Sequence, residues 1–300
     1  MPKSCASSPS ETPLPHPHDP SAASVPMRTF MTIIALLALG YVAICTYLYF
    51  NQEGLLFFPQ HATTVELDAL AREDGFEAWT NSAGARIGWR STAGDPTHVL
   101  LIFHGNGGFA LGRNYKPMRR HIATNGRGPA LYLLEYPGYG ARAGKPSSRA
   151  MTAAAIEAFD TLAANPHLRI EIMGQSLGSG VACAVASVRP DRVAGIVLVT
   201  PYDSLASGAS THYPWLPVRW LMRHQFDSDK NLAHYHGPIA FLVAGRDGTI
   251  PPRLAERLCA GYAGPKRLWL APNAGHNDFD QLMANWPEVT VWLATHASLR

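Results

Sequence analysis

A serine stands between two glycines at the point where a strand-like segment gives way to a helix-like one, in Gly174-Gln175-Ser176-Leu177-Gly178. An apolar run, 169–173, precedes it, and small residues at 179–188 follow it, as in a helix that packs closely on a sheet. Glycine lacks a Cβ, so the backbone can turn tightly on both sides. A serine exposed on such a turn beside a base is a candidate nucleophile, although a plain strand-to-helix turn would show the same spacing.

Strand-like and helix-like segments alternate along the rest of the chain. A hairpin is predicted over 77–81 and 86–91, and further strands at 98–103, 130–135, 170–173, 194–199, 239–244 and 267–270. Helices are predicted at 113–124, 148–164, 177–188, 253–262 and 279–296. The pattern predicts an α/β fold, a mostly parallel sheet with helices on both faces, whose ligands bind at the carboxyl ends of the strands.

Three further chemical features follow predicted strand ends. A glycine-rich loop, His104-Gly105-Asn106-Gly107-Gly108, can aim backbone N–H groups at one point, as stabilising an oxyanion requires. Asp247 follows the strand that ends at Gly245, and His276 follows the next one. Serine, aspartate and histidine at separate strand ends, in this chain order, predict a catalytic triad.

Each of these residues also has a structural interpretation. Asp247 could cap the following helix, His276 could be a surface histidine, and the glycine-rich loop could be only a turn. Asp203 follows a strand too, so it is a rival for the triad acid, although a helix-capping role fits it better. We expect His104 to be structural and Glu135 to brace its loop.

The chain begins with a proline-rich stretch, residues 1–29, that predicts a disordered tail. His16 and His18 in it are expected to be solvated, so no metal site is assigned. Residues 30–50 contain no charged side chain, and a helix of that length spans about 31 Å, close to the thickness of a bilayer's hydrocarbon core. A signal peptide and a buried helix are the alternatives, but the tyrosines and Phe50 at its end are typical of an uncleaved transmembrane anchor.

Basic residues predict how this anchor is oriented. Lys3 and Arg28 precede the apolar run, whereas the first basic residue after it is Arg72. By the positive-inside rule the amino terminus lies in the cytoplasm and the following domain outside it, in the periplasm if the cell is bacterial.

Composition excludes other classes of protein. The chain is 47% hydrophobic and 16% charged, with a net charge of +3, and it has no basic block that would suit nucleic acid. Its four cysteines show neither disulfide-framework nor zinc-ligand spacing.

Residues 76–297 resemble the α/β-hydrolase fold, and 30–297 is similar to membrane-anchored α/β-hydrolase-domain proteins with one amino-terminal helix. The serine turn and the loop at 104–107 carry the resemblance, together with three other segments, Leu55-Leu56-Phe57-Phe58-Pro59, Glu135-Tyr136-Pro137-Gly138-Tyr139-Gly140, and Tyr213-Pro214-Trp215-Leu216-Pro217-Val218 with Phe226-Asp227-Ser228. The predicted organisation is a tail, an anchor, a juxtamembrane linker at 51–75 and a hydrolase domain with a cap insertion at about 204–237.

The resemblance implies a serine esterase, lipase or thioesterase that needs no cofactor and acts on a small-molecule or lipid acyl ester. Ser176 would be the nucleophile, His276 the general base and acid, and Asp247 the group that orients His276. Backbone N–H groups of Leu177 and Asn106 would form the oxyanion hole. A catalytically silent scaffold that binds a membrane partner, and a serine peptidase, are the alternatives.

The cap insertion carries an unusual number of large apolar side chains, Tyr213, Trp215, Trp220, Leu221, Met222 and Phe226. In this fold such an insertion covers the nucleophile. The side chains could form an apolar acyl pocket or could pack the insertion onto the core.

Overall fold

The computed structural model describes residues 26–112, 118 and 128–297. The tail predicted at 1–29 lies almost wholly outside these residues, and so does the helix predicted at 113–124, apart from Met118. The chain divides into two compact units between Ile44 and Cys45.

The first helix, α1, runs over Met27–Phe50 and has no buried residue. Its mean hydropathy reaches 2.1, and it is long and apolar enough to cross a membrane. The fold therefore has one amino-terminal apolar helix that is a candidate membrane span, at the position predicted from the sequence.

Eight strands form one sheet within the described residues. They are β1 Phe76–Thr80, β2 Arg86–Ser91, β3 Asp95–Phe103, β4 Pro129–Leu134, β5 Arg169–Gln175, β6 Val193–Val199, β7 Ile239–Ala244 and β8 Lys266–Ala271. The order is β1-β2-β4-β3-β5-β6-β7-β8. Strand β2 pairs antiparallel with β1 and β4, and the other neighbours are parallel, so the carboxyl ends of β3 to β8 share one edge.

Helices cover both faces of this sheet. After α1 they are α2 Gln52–Leu56, α3 Thr64–Asp74, α4 Ser148–Ala163, α5 Leu177–Val188, α6 Leu205–His212, α7 Val218–Leu221, α8 Ser228–Leu232, α9 Pro252–Gly261, α10 Phe279–Met283 and α11 Trp286–Ala297. Successive side chains of a strand point to opposite faces, and β3 divides accordingly. Val99, Leu101 and Phe103 join one core with α4, α5 and α9, while Leu100 and Ile102 join a second core with α3, α10 and α11.

The predicted α/β fold with a mostly parallel sheet is confirmed, including the hairpin of β1 and β2. The one helix predicted at 279–296 is wrong as a single element, because it is two helices, α10 and α11, separated at Ala284 and Asn285. Pro287 explains the break. A continuous helix would need its missing N–H to bond the carbonyl of Met283, whereas proline is well tolerated in the first turn of α11.

The residues predicted as a juxtamembrane linker, 51–75, form two helices and contribute to both cores. Phe57 is 3% exposed, and Leu67 and Ala71 of α3 are also buried. Helix α3 begins with a capping box, in which Thr63 accepts from the Glu66 N–H and the Glu66 carboxylate accepts from the Thr63 N–H. This signal, Thr-Thr-Val-Glu before an apolar pattern, is readable in the sequence.

Three short helices, α6, α7 and α8, lie between β6 and β7, where the cap insertion is predicted.

Candidate active site

Ser176 occupies the turn between β5 and α5 with φ 50° and ψ −117°, a conformation that non-glycine residues rarely adopt. Such strain costs on the order of 1–3 kcal/mol. The flanking glycines allow neighbouring backbone atoms to approach the turn closely. A Cβ on Gly178 would lie 2.1 Å from the Phe103 carbonyl oxygen, and one on Gly174 would lie 2.3 Å from the Gly178 carbonyl oxygen.

The structure brings the three predicted triad side chains together at the carboxyl edge of the sheet. The Ser176 Oγ lies 3.0 Å from Nε2 of His276, and Nδ1 of His276 lies 2.7 Å from Oδ2 of Asp247. With the carboxylate facing Nδ1, the ring proton is held there and Nε2 is left to accept from the serine hydroxyl. This arrangement can remove a proton from Ser176.

Asp247 is buried, and its two carboxylate oxygens have different partners. Oδ1 accepts hydrogen bonds from the backbone N–H groups of Thr249 and Ile250, at 2.8 and 2.7 Å. Oδ2 is the atom that faces His276. The loop after β7 therefore fixes the carboxylate in the orientation in which it can hold the imidazole.

Asp203, the rival acid, has other partners. Its Oδ2 lies 2.8 Å from a guanidinium nitrogen of Arg257, and its Oδ1 accepts from the N–H of Ser204. The helix-capping role expected for Asp203 belongs to its neighbour, because the Ser204 side chain accepts from the Ser207 N–H at the start of α6.

Buried side chains support the glycine-rich loop after β3. His104 and Glu135 are both buried, with His104 Nε2 3.2 Å from Glu135 Oε1. Both carboxylate oxygens of Glu135 accept from the Ala110 N–H, and the Tyr136 hydroxyl donates to the His104 carbonyl oxygen. These contacts agree with the structural roles expected for His104 and Glu135.

Asn106 is held through its side chain, a role that sequence reasoning missed. Its Nδ2 donates to the Leu56 carbonyl oxygen at 2.7 Å, and its Oδ1 accepts from the Phe58 N–H at 2.9 Å and from the Tyr139 hydroxyl at 2.8 Å. Burial raises the pKa of the Tyr139 phenol, which keeps the hydroxyl protonated as a donor. No sequence motif marks these contacts, since the partners are about 50 and 33 positions away.

Residues 52–60, here called the strap, connect the end of α1 with this loop. At its start, the Gln52 side chain donates to the Leu221 carbonyl oxygen at 2.6 Å and accepts from the Arg223 N–H at 2.8 Å. Further along lie the two hydrogen bonds with Asn106. The strap thus touches both the cap and the glycine-rich loop.

A cleft of about 1050 Å³ opens over Ser176. Asn106, Leu177 and His276 border it. Its apolar lining comes from the strap, helix α3, the segment after the glycine-rich loop, the start of the cap and the loop after β7, namely Leu56, Phe58, Leu70, Phe109, Leu111, Tyr202, Leu205 and Ile250. Among the described residues that line it, none is an aspartate, glutamate, lysine or arginine. The cleft can therefore take a neutral, apolar group beside the serine hydroxyl.

The cap aromatics do not form this cleft. Tyr213, Trp215 and Trp220 are exposed, whereas Phe226 is buried and packs against Gly180 of α5. Of the two roles expected for these side chains, packing on the core applies to Phe226, and neither applies to the other three.

Comparisons with known proteins agree with the fold. A family model described as alpha/beta hydrolase fold matches residues 98–234. An uncharacterized protein of Mycobacterium tuberculosis, MT2364, is 32% identical over 256 residues, which is 83% of this chain and 88% of that protein. The lysophosphatidylserine lipase ABHD12 of Macaca fascicularis is 27% identical over 210 residues, 63% of this chain and 51% of the lipase, so the match spans about half of that relative. Among solved structures, the Pyrococcus furiosus esterase Pf2001 has a TM-score of 0.57 at 14% identity, covering 80% of this chain and 99% of the esterase.

Proposed function

Because the chain belongs to the α/β-hydrolase family, we propose that it is a membrane-anchored serine hydrolase that cleaves carboxylic ester or thioester bonds. The observation that carries the proposal is the chain of hydrogen-bond distances from Ser176 through His276 to Asp247, at the edge of an apolar cleft. Lipase and esterase relatives support the same class of reaction.

In the proposed reaction, Ser176 Oγ attacks the carbonyl carbon of the substrate while its proton passes to Nε2 of His276. Backbone N–H groups of Leu177 and Asn106 stabilise the oxyanion that forms. Collapse of the tetrahedral intermediate expels the alcohol or thiol, which takes the proton from His276, and leaves an acyl group on Ser176. A water molecule, deprotonated by His276, then releases the acid and restores the serine. No metal or organic cofactor takes part.

The anchor in this proposal is α1, with its amino-terminal end in the cytoplasm and the hydrolase domain outside. The proposed substrate is a neutral ester with a short, medium or lipidic acyl chain. The described lining of the cleft, which is largely apolar and holds no aspartate, glutamate, lysine or arginine, supports this choice. A lipase among the relatives supports a lipid-derived substrate.

Covalent labelling tests the nucleophile. A fluorophosphonate probe should label the full-length protein, and Ser176→Ala should abolish labelling because the reactive hydroxyl is lost. Ser210→Ala is the matched control, since Ser210 lies on cap helix α6 and donates only to a backbone carbonyl in its own helix. Folded wild-type protein that resists the probe would favour the silent-scaffold alternative.

A substrate screen separates an esterase from a peptidase. Neutral acyl esters and thioesters of increasing chain length should be cleaved faster than peptide amides or strongly anionic esters, because the described lining holds no cation to bind an anion. Faster cleavage of amides would establish the peptidase alternative, and faster cleavage of anionic esters would contradict the neutral-substrate proposal.

A further inference from the structure

The cap presents large aromatic side chains to solvent. Tyr213, Trp215 and Trp220 are 52%, 56% and 90% exposed. Large aromatic side chains are mostly buried in soluble proteins, and exposed patches of them mark interaction sites. Together with Arg219 and Arg223 they are called here the cap patch.

The cap sequence that carries these aromatics is basic, although Glu53 of the strap lies 4.0 Å from His224 within it. Residues 204–226 contain no aspartate or glutamate, while Arg219 and Arg223 lie within the stretch and both are exposed. The cap patch is therefore apolar and basic at once. This combination suits a surface that has an apolar interior beneath anionic groups.

The cap patch begins beside the end of the candidate membrane span. The Gln52 side chain, two residues past Phe50, bonds the Leu221 carbonyl oxygen and the Arg223 N–H. The Arg223 guanidinium also lies over the Tyr49 ring, 5.2 Å from its centroid. Residues from Cys45 onward belong to one compact unit, so these contacts are internal to it. Within this unit the cap patch therefore lies next to the last residues of α1.

We propose that the cap patch docks on the surface of the bilayer that α1 crosses, an inference that rests on the membrane anchor of the proposed function. Tryptophan and tyrosine rings favour the bilayer interface, where the ring is apolar and its polar atom stays hydrated. Arg219 and Arg223 pair with phosphates of anionic phospholipids. Docking adds to the tether, because it orients the domain.

This orientation has a consequence for the cleft. Strap residues Leu56 and Phe58 and cap residue Leu205 line the cleft, and both the strap and the cap continue into the docked region. A lipid ester can then pass from the bilayer into the cleft along apolar side chains. An enzyme that is only tethered would have to extract the same ester into water.

Tryptophan fluorescence tests the docking directly. All seven tryptophans lie after α1, so their emission reports only on the domain. Full-length Ser176→Ala protein is reconstituted into vesicles of phosphatidylcholine and phosphatidylglycerol that contain a lipid brominated near the headgroup. We expect the lipid to quench emission, and the double variant Trp215→Phe, Trp220→Phe to lose most of that quenching. Trp292→Phe, a partly buried tryptophan of α11 that packs on Trp269, is the control and should keep it.

The positive charges of the cap patch provide a second test of the docking. Replacing Arg219 and Arg223 by glutamine should weaken quenching in vesicles with phosphatidylglycerol and leave it unchanged in pure phosphatidylcholine. Equal weakening in both would overturn the proposed role of anionic lipid.

The outcomes separate docking from anchoring. Protein that floats with vesicles but whose tryptophans are quenched by acrylamide and not by brominated lipid overturns the docking alone. Protein that fails to float overturns the anchor and the docking with it.

Dimerisation through the cap patch is the other outcome to test. In that case Trp220→Asp should abolish a concentration-dependent dimer in detergent, while Val291→Asp, an exposed apolar control on α11, should not. That result would also overturn the proposal.

Discussion

Asp203 and Asp247 follow neighbouring strands, but their carboxylates have different partners. Asp203 is held by Arg257, so its negative charge is already balanced at the base of the cap. Asp247 is buried, receives two backbone N–H groups on one oxygen, and has His276 on the other. Only Asp247 is placed to support the imidazole.

We predict that Asp247→Asn lowers kcat for ester cleavage by about 10³- to 10⁴-fold with the fold intact. An amide cannot stabilise the imidazolium, and its NH₂ group favours the wrong tautomer of His276. Steady-state kinetics on purified variants measure the effect, with Asp203→Asn as the control that keeps most activity. The reverse pattern would move the triad acid to Asp203 and leave the other two assignments in place.

The principal side chains of the candidate site could be located from the sequence because each follows a predicted strand end. Parallel strands bring those ends to one edge, so the position along the chain predicted the position in space for Ser176, Asp247 and His276. The contacts of Asn106 with the strap could not be predicted in this way. They join segments about 50 residues apart, and no periodic pattern or motif encodes such a pairing.

At the scale of elements, the strap is the least expected part of the fold. An apolar segment just after a candidate span predicts packing near the membrane end of the domain, but not hydrogen bonds to the loop beside the nucleophile. Helix α3 was also missed, since its capping box is a short local signal within a stretch interpreted as a linker. In contrast, strands β3, β4, β6 and β7 were predictable because their buried parts are continuous apolar runs.

We predict that Asn106→Ala lowers kcat by about 10²-fold with a smaller change in KM, because the loop then loses the contacts that position its backbone N–H. The side chain is a positioning group, since the proposed oxyanion donor is the backbone. Asn81→Ala is the matched control. Asn81 also uses its amide to hold a loop, accepting from Ala83 and Ala85 and donating to Glu157, but it lies in the β1–β2 turn.

Steady-state kinetics and thermal unfolding distinguish positioning from stability. Both variants should lower Tm by similar amounts, and only Asn106→Ala should lower kcat. Equal activity of the two variants would show that the strap contacts serve stability alone.

The whole molecule combines an apolar helix with a hydrolase domain, and the distribution of charge predicts how it is oriented across a membrane. Lys3 and Arg28 lie before the span, and no lysine or arginine follows it until Arg72. Moving basic residues across the membrane is unfavourable, so the amino-terminal side is expected to stay in the cytoplasm.

We therefore predict that alkaline phosphatase fused after Arg300 is active in a bacterial host, because this enzyme requires the oxidising periplasm to form its disulfides. A fluorescent protein that matures only in the cytoplasm, fused at the same position, should stay dark. Inactive phosphatase together with a bright fluorescent fusion would reverse the orientation.

The strained backbone at Ser176 disfavours any side chain at this turn relative to glycine. Glycine at a residue with φ 50° would relieve on the order of 1–3 kcal/mol, more than the roughly 0.5–1 kcal/mol that glycine's extra freedom costs. Selection for fold stability alone would favour glycine at this turn, as a silent scaffold would permit. The proposed function accounts for a serine at this turn, because a nucleophile needs the hydroxyl group that glycine lacks.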